Sequence, residues 1–237
     1  MAEIFRVPLE QIILKIKTLP MFNVPVGEVF YKMIEPPSEE NILSSLKRLQ
    51  DLGALDKNDQ LTALGVHVAN LPVDVRIGKL MLYGSIFCCL DSALTIAACL
   101  SDKSPFVSPF THRDDAERKK MEFATANSDL LTMLKAYQHW IRANKVSRNA
   151  GYAFARENFL SYKTLQTIIQ LKYQFTEQLS SIGFAPPGLT SRKLDRIATD
   201  RGDAVLTATG MDLNRNSDNY KVCHNISIHS EIKKNVW

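Results

Sequence analysis

Several features are missing or scarce in these 237 residues, and each absence closes off a class of function. There is no glycine-rich phosphate loop with its lysine, and no strand-borne acidic box for magnesium, so the chain carries no nucleotide-hydrolysing machinery. Cysteine is limited to Cys88, Cys89, Cys99 and Cys223, with no Cys-x-x-Cys pair to hold zinc or run redox chemistry. The five histidines fall at no established metal spacing; the nearest approach is Cys223-His224 with His229. No serine or cysteine nucleophile has a recognisable base. The opening residues, MAEIFRVPLEQ, lack the basic start, apolar run and cleavage site of a secretory leader, so a reduced, cytoplasmic or nuclear setting is expected. The sequon Asn225-Ile226-Ser227 and the triplet Arg201-Gly202-Asp203 are accordingly read as chance matches.

What is present is an ordinary globular composition, 45% hydrophobic and 23% charged, with a net charge of +4. Mild basicity permits a polyanionic partner without requiring one. The least polar stretch runs from Leu80 to Leu100, with Asp91 its only charge. Its length nearly suits a bilayer, but a central aspartate costs roughly 2.5–3.5 kcal/mol on insertion scales. Asp91 or Ser92 reads better as the cap that opens a second helix over ALTIAACL. Two helices apolar on every side, flanked by polar segments, form a protein core, and burying half a dozen large side chains contributes on the order of 10 kcal/mol before entropy.

Upstream, Leu9, Ile12, Ile13 and Ile16 share a helical face that ends at Pro20. A short helix comes next in VGEVFYKMI and stops at Pro36-Pro37. A third is capped by Ser38, striped by Ile42, Leu43, Leu46, Leu49 and Leu52, and closed by Gly53. ALDKNDQLTALG then reads as two very short strands about a polar turn, with Thr62 capping another helix. Three helices and a hairpin is the order of a winged helix; a plain helical bundle with a loop fits the pattern too. Beyond it come the loop SDKSPFVSPF, whose two Ser-Pro steps bar helix, and amphipathic helices in RDDAERKKMEFATA, SDLLTMLKAYQHWI and YAFARENF onward. The last has a break near Asn158 and an end at Gly183. Ser104 and Ser108 fit proline-directed phosphorylation, although a rigid loop accounts better for the prolines. The expected fold is mostly α: a winged helix with a small β-hairpin wing over 1–75, a multi-helix bundle over 76–185, and a polar, partly disordered tail over 186–237.

Between Trp140 and Lys172 lie Arg142, Lys145, Arg148, Arg156, Lys163 and Lys172, opposed only by Glu157, with Tyr152, Phe154, Phe159, Tyr162 and Tyr173 among and beside them. Cations with planar rings suit the phosphates and bases of a single strand, though basic residues also decorate ordinary helix exteriors.

The ordered set LGAL, LTALG, LPVD, GK, CLD, SPF, SDLL and NFL resembles the helicase-associated region of DEAH-box ATP-dependent RNA helicases, over roughly residues 4 to 185. The resemblance implies a winged-helix hub followed by a ratchet-like helical domain that closes over single-stranded RNA. It also implies that ATP and magnesium belong to motor domains upstream, whose motifs this chain lacks, so that the segment is inert alone and holds no cofactor. By the same resemblance ARENFLSYKTL lines the RNA channel. That makes Arg156, Asn158 and Lys163 the expected RNA contacts, with Tyr162 stacking or packing, and leaves Arg76 and Lys79 to stabilise the joint. Helicase motor domains, in cis or trans, and protein cofactors are the other implied partners, with no membrane. A winged-helix scaffold that binds motors or cofactors is the alternative. NSDNYKVC looks like the approach to the family's OB-fold, and HNISIHSEIKKNVW after it departs from the family, which reads as a fragment, a splice form or an imperfect gene product.

Overall fold

The computed structural model describes residues 8–21, 24–87, 89–124, 128–185 and 189. The tail from 186 onward, Leu189 excepted, lies outside the described residues. So do Cys88, the Arg-Gly-Asp triplet, the sequon and the Cys223, His224, His229 grouping. Contacts divide the chain into two compact units, one running through Lys79 and the other beginning at Leu80.

The first unit holds α1 (Glu10–Thr18), α2 (Val26–Tyr31), α3 (Glu39–Asp51) and α4 (Ala63–Ala69). Ser38 caps α3 through the Asn41 N–H, as its position before two glutamates predicts. Gly53, at φ 75°, closes the same helix: its N–H meets the Gln50 carbonyl and the Ala54 N–H meets that of Leu49. Thr62 caps α4 through the Gly65 N–H at 3.1 Å. Ile13, Leu14, Phe30, Leu49, Leu55 and Leu71 are fully buried at the centre. Arg48 pairs with the buried Glu10 at 3.0 Å, tying α3 to α1. Leu43 departs from its expected place in the α3 stripe and is exposed; Ser45 is buried in its stead.

Where two short strands were expected, there is a single antiparallel bridge, Leu55 with Leu61. The reason is local. The Asp56 carboxylate accepts from the N–H groups of both Asn58 and Gln60 at 2.8 Å, and Asp59 takes φ 59°. An aspartate-organised turn occupies the residues that longer strands would need.

A fifth helix, α5 (Val75–Ile86), begins where the Asp74 carboxylate accepts from the Arg76 N–H. Near its start the Lys79 ammonium donates to the Leu52 carbonyl at 2.7 Å, at the end of α3. Burial lowers the Lys79 pKa. This contact lies within the first unit.

The second unit is built around α6 (Leu90–Ser101), in which every residue from Ser92 to Cys99 is buried. Gly84 of α5 lets α6 approach closely: a Cβ there would lie 2.2 Å from that of Ala93. Cys89, Ala93 and Ile96 cluster with Leu134 of α8 (Asp129–Val146), with Leu80, Phe87, Leu130 and Leu131 packed around them. Cys89 and Cys99 are buried thiols in no disulfide, the small hydrophobes they were read to be. The outer elements are a 3-10 turn at Phe110–His112, α7 (Arg113–Glu122), α9 (Arg148–Glu157) and α10 (Tyr162–Ser181). No helix among the described residues is long and apolar enough to cross a membrane.

Asp91 does not cap α6. The helix opens at Leu90, after Cys89, with no side-chain cap, and Asp91 lies in its first turn. The break between the apolar helices therefore comes a few residues early, and the carboxylate is spent elsewhere. It accepts from the Lys172 ammonium of α10 at 2.7 Å. That ammonium is buried and lies 5.0 Å from the centre of the Tyr137 ring, over its face. Burial alone would lower the Lys172 pKa, but Asp91, with Tyr137 and Cys99 adding, more than offsets it and raises the value above 10.5. Burial also pushes the Cys99 thiol up to about 12, with Lys172 opposing.

Asp91→Ala should strand a buried cation and cost about 3 kcal/mol in urea unfolding, whereas joint Asp91→Leu/Lys172→Met replacement should cost clearly less. Both raised pKa values act in the same direction with pH. The stability they contribute is complete below the ordinary thiol value of 9.0 and falls as pH rises through the folded-state values. Unfolding measured at rising pH should thus show a decline beginning near pH 9, and Cys99→Ala should move its onset upward.

Candidate nucleic-acid interface

The interface is assembled from α9, the start of α10 and the loop of the two Ser-Pro steps. Ser147 ends α8 and caps α9 through the Ala150 N–H at 3.0 Å, so the chain reverses in one residue. The reversal is tight because residue 151 is glycine: a Cβ there would stand 2.4 Å from Asn144 Oδ1 and 2.9 Å from its Cα. The buried Trp140 indole donates to the Gly151 carbonyl at 3.2 Å and fixes the register of α8 on α9.

Helix α9 buries Gly151 and Ala155 and leaves Arg148, Tyr152 and Arg156 exposed. Spaced i, i+4, i+8, these three form one outward stripe, cation, ring, cation. Tyr162, opening α10, sets its ring 5.6 Å from that of Tyr152 and 5.9 Å from that of Trp140, edge to face in both pairs. Lys163 beside it is exposed. Among the described residues the ion pairs involve none of Arg148, Arg156 and Lys163.

The turn between α9 and α10 is sharply defined. Asn158 folds its side-chain amide back to donate to the Phe154 carbonyl at 2.8 Å. Phe159 adopts φ 50°, with its N–H toward the Arg156 carbonyl and the Leu160 N–H on that of Ala155 at 2.8 Å. This is a helix-closing motif that glycine ordinarily serves, and a phenylalanine there costs about 1–2 kcal/mol. The Phe159 ring lies 6.4 Å from that of His112. The same turn is bonded to the proline loop: Phe106 bridges Leu160 in antiparallel sense, Val107 N–H meets the Phe159 carbonyl, and Ser161 N–H meets that of Pro105, both at 2.8 Å. Below it Phe123 joins Phe106, His139 and Phe154 in one aromatic cluster at 5.9–6.4 Å.

Of the residues expected to touch RNA, Arg156 and Lys163 are exposed, while Asn158 and Tyr162 are half-buried and engaged in the turn. Lys172, counted in the basic segment, is withdrawn into the core on Asp91. Arg148 and Tyr152 complete the exposed stripe, and their four-residue spacing from Arg156 is the signal that picks them out. Among the described residues no group of His, Cys, Asp and Glu is arranged to hold a metal.

Comparison with known proteins defines first the class of module. Residues 45–73 match the winged-helix part, and residues 74–133 the ratchet-like part, of the helicase associated domain HA2. The chain is 54% identical over 221 residues to "Putative ATP-dependent RNA helicase DHX57" of Homo sapiens, covering 93% of this chain and 16% of that protein. It is 43% identical over 183 residues to the ATP-dependent DNA/RNA helicase DHX36 of Bos taurus, covering 77% and 18%. It is 37% identical over 219 residues to the ATP-dependent RNA helicase dhx29 of Xenopus laevis, covering 87% and 16%. The chain thus belongs to the helicase-associated region of the DEAH-box helicase family, and it spans about one sixth of the length of these relatives.

Gly151→Ala should lower stability by about 1–3 kcal/mol despite alanine's higher helix propensity, because the crossing leaves no room for a methyl group. Gly151→Ala joined with Asn144→Ala should recover little of that loss in denaturant melts, because the Asn144 Cα, 2.9 Å from the added Cβ, stays in place.

Proposed function

We propose that this chain is an accessory RNA-clamping segment of a DEAH-box ATP-dependent RNA helicase, with a winged-helix module over 1–75 and a ratchet-like module over 76–185. Motor domains, in cis or in trans, bind ATP and magnesium, and the segment alone does not turn over nucleotide. The observation that supports this most is the unpaired, exposed stripe of Arg148, Tyr152 and Arg156, with Lys163 next along the chain from Tyr162. Guanidinium and ammonium groups neutralise phosphates, and the Tyr152 face stacks on a base of any identity, so binding is salt-sensitive and indifferent to sequence. Tyr162 and Asn158 hold the turn, and on this reading Asn158 Oδ1 meets a ribose or base. The relatives' names as RNA helicases accord with this reading, and a cytoplasmic or nuclear setting goes with it.

A second observation supports protein contact by the first unit. Met21 (78% exposed), Ile34 (102%), Tyr31 (58%) and Leu43 (58%) present apolar side chains to solvent there. On this reading the winged helix is also a scaffold for helicase motors or their cofactors. Leu43→Glu should then weaken co-elution with the motor domains and leave RNA affinity untouched.

Anisotropy of a labelled oligouridylate over a range of salt tests the RNA reading. Arg156→Gln/Lys163→Gln should flatten the plot of log affinity against log salt by about 1.4, two contacts at roughly 0.7 each on a single strand. An unchanged slope, or ATP hydrolysis by the purified chain, contradicts it.

A further inference from the structure

We infer that Ser108 is a phosphorylation site for a proline-directed Ser/Thr kinase, and that its phosphate closes the cationic edge of the RNA interface. The regulatory half of this inference rests on the RNA reading above. Two Ser-Pro steps occur in the loop, and the fold treats them differently. Pro105 is buried, its carbonyl accepts from Ser161, and Ser104 Oγ accepts from the Phe106 N–H, so the first step is locked into the structure. At the second step Ser108 is exposed, and after the half-buried Pro109 come Phe110, fully exposed, and then Thr111 to Asp114, exposed as well. A proline-directed kinase needs an accessible hydroxyl followed by a reachable proline; both serines are exposed, but Pro105 is buried, whereas Pro109 is half-buried with extended backbone ahead of the 3-10 turn.

The position gives the modification its consequence. The Phe106–Leu160 bridge and the bond from the Val107 N–H to the Phe159 carbonyl hold the loop, up to the residue before Ser108, on the turn that lies between Arg156 and Lys163 in sequence. In the reaction Ser108 Oγ bonds the γ-phosphorus of ATP, the bond from that phosphorus to the β-bridging oxygen breaks, the hydroxyl proton passes to the kinase base, and ADP leaves. The product carries about −1.5 to −2 charge at pH 7. That charge occupies Arg156 and Lys163 and repels an incoming phosphodiester.

The full 237-residue chain, treated with a purified proline-directed kinase and ATP, is mapped by mass spectrometry and titrated with labelled oligouridylate. Phosphate is expected on Ser108 and absent from Ser104, with Ser108→Ala blocking incorporation while binding RNA as the unmodified chain does. The phosphorylated chain is expected to bind severalfold more weakly at low salt, with a flatter salt dependence. Phosphate on Ser104 alone, or none, overturns the assignment. Equal binding before and after modification overturns the inference and leaves the RNA reading standing. An unmodified chain that ignores the oligonucleotide overturns that reading and the regulation with it.

Discussion

Burial of α6 on all sides is the constraint on which the second unit depends. A helix whose residues from Ser92 to Cys99 are all buried must be covered around its circumference, and α5, α8 and α10 are packed around it. The one charge in its first turn, Asp91, has to be met within protein, and Lys172 of α10 meets it. An ion pair of this kind adds little net stability, but it permits one register and penalises others. It fixes α10 on α6, and through the start of α10 it fixes Tyr162 and Lys163.

From that anchor the interface is built outward by close approach. Gly151 allows α9 to lie on α8, Trp140 pins the crossing, and the turn at Asn158–Phe159 returns the chain to α10. The proline loop contributes backbone hydrogen bonds to that turn. Cations on such a frame are held at fixed spacing, which matters for a partner whose charges repeat regularly. The unfavourable φ of Phe159 belongs here: the aromatic ring that glycine lacks packs near His112 of the loop.

Much of this was legible in the residues. The caps Ser38 and Thr62, the closing glycines at 53 and 183, and the break near Asn158 all announce themselves through local backbone chemistry. Apolar periodicity identified the core helices, and the ordered motif set identified the family. What stayed hidden depends on partners far along the chain. Asp91 looks like a cap until Lys172, 81 residues away, is brought to it; Lys172 looks like part of a basic surface for the same reason. Leu43 fits the stripe by spacing, yet faces solvent. The short wing yields to a side-chain preference of Asp56 that an alternation of apolar residues does not express.

The central proposal is that the α9–α10 edge, held by the buried α6 core, binds a single strand of RNA. Photocrosslinking of bound oligouridylate, read out by peptide mass spectrometry, tests it most directly. The account predicts adducts on Tyr152 and in the peptide spanning Arg156 to Lys163. Adducts confined to the first unit, residues 8–79, would contradict it.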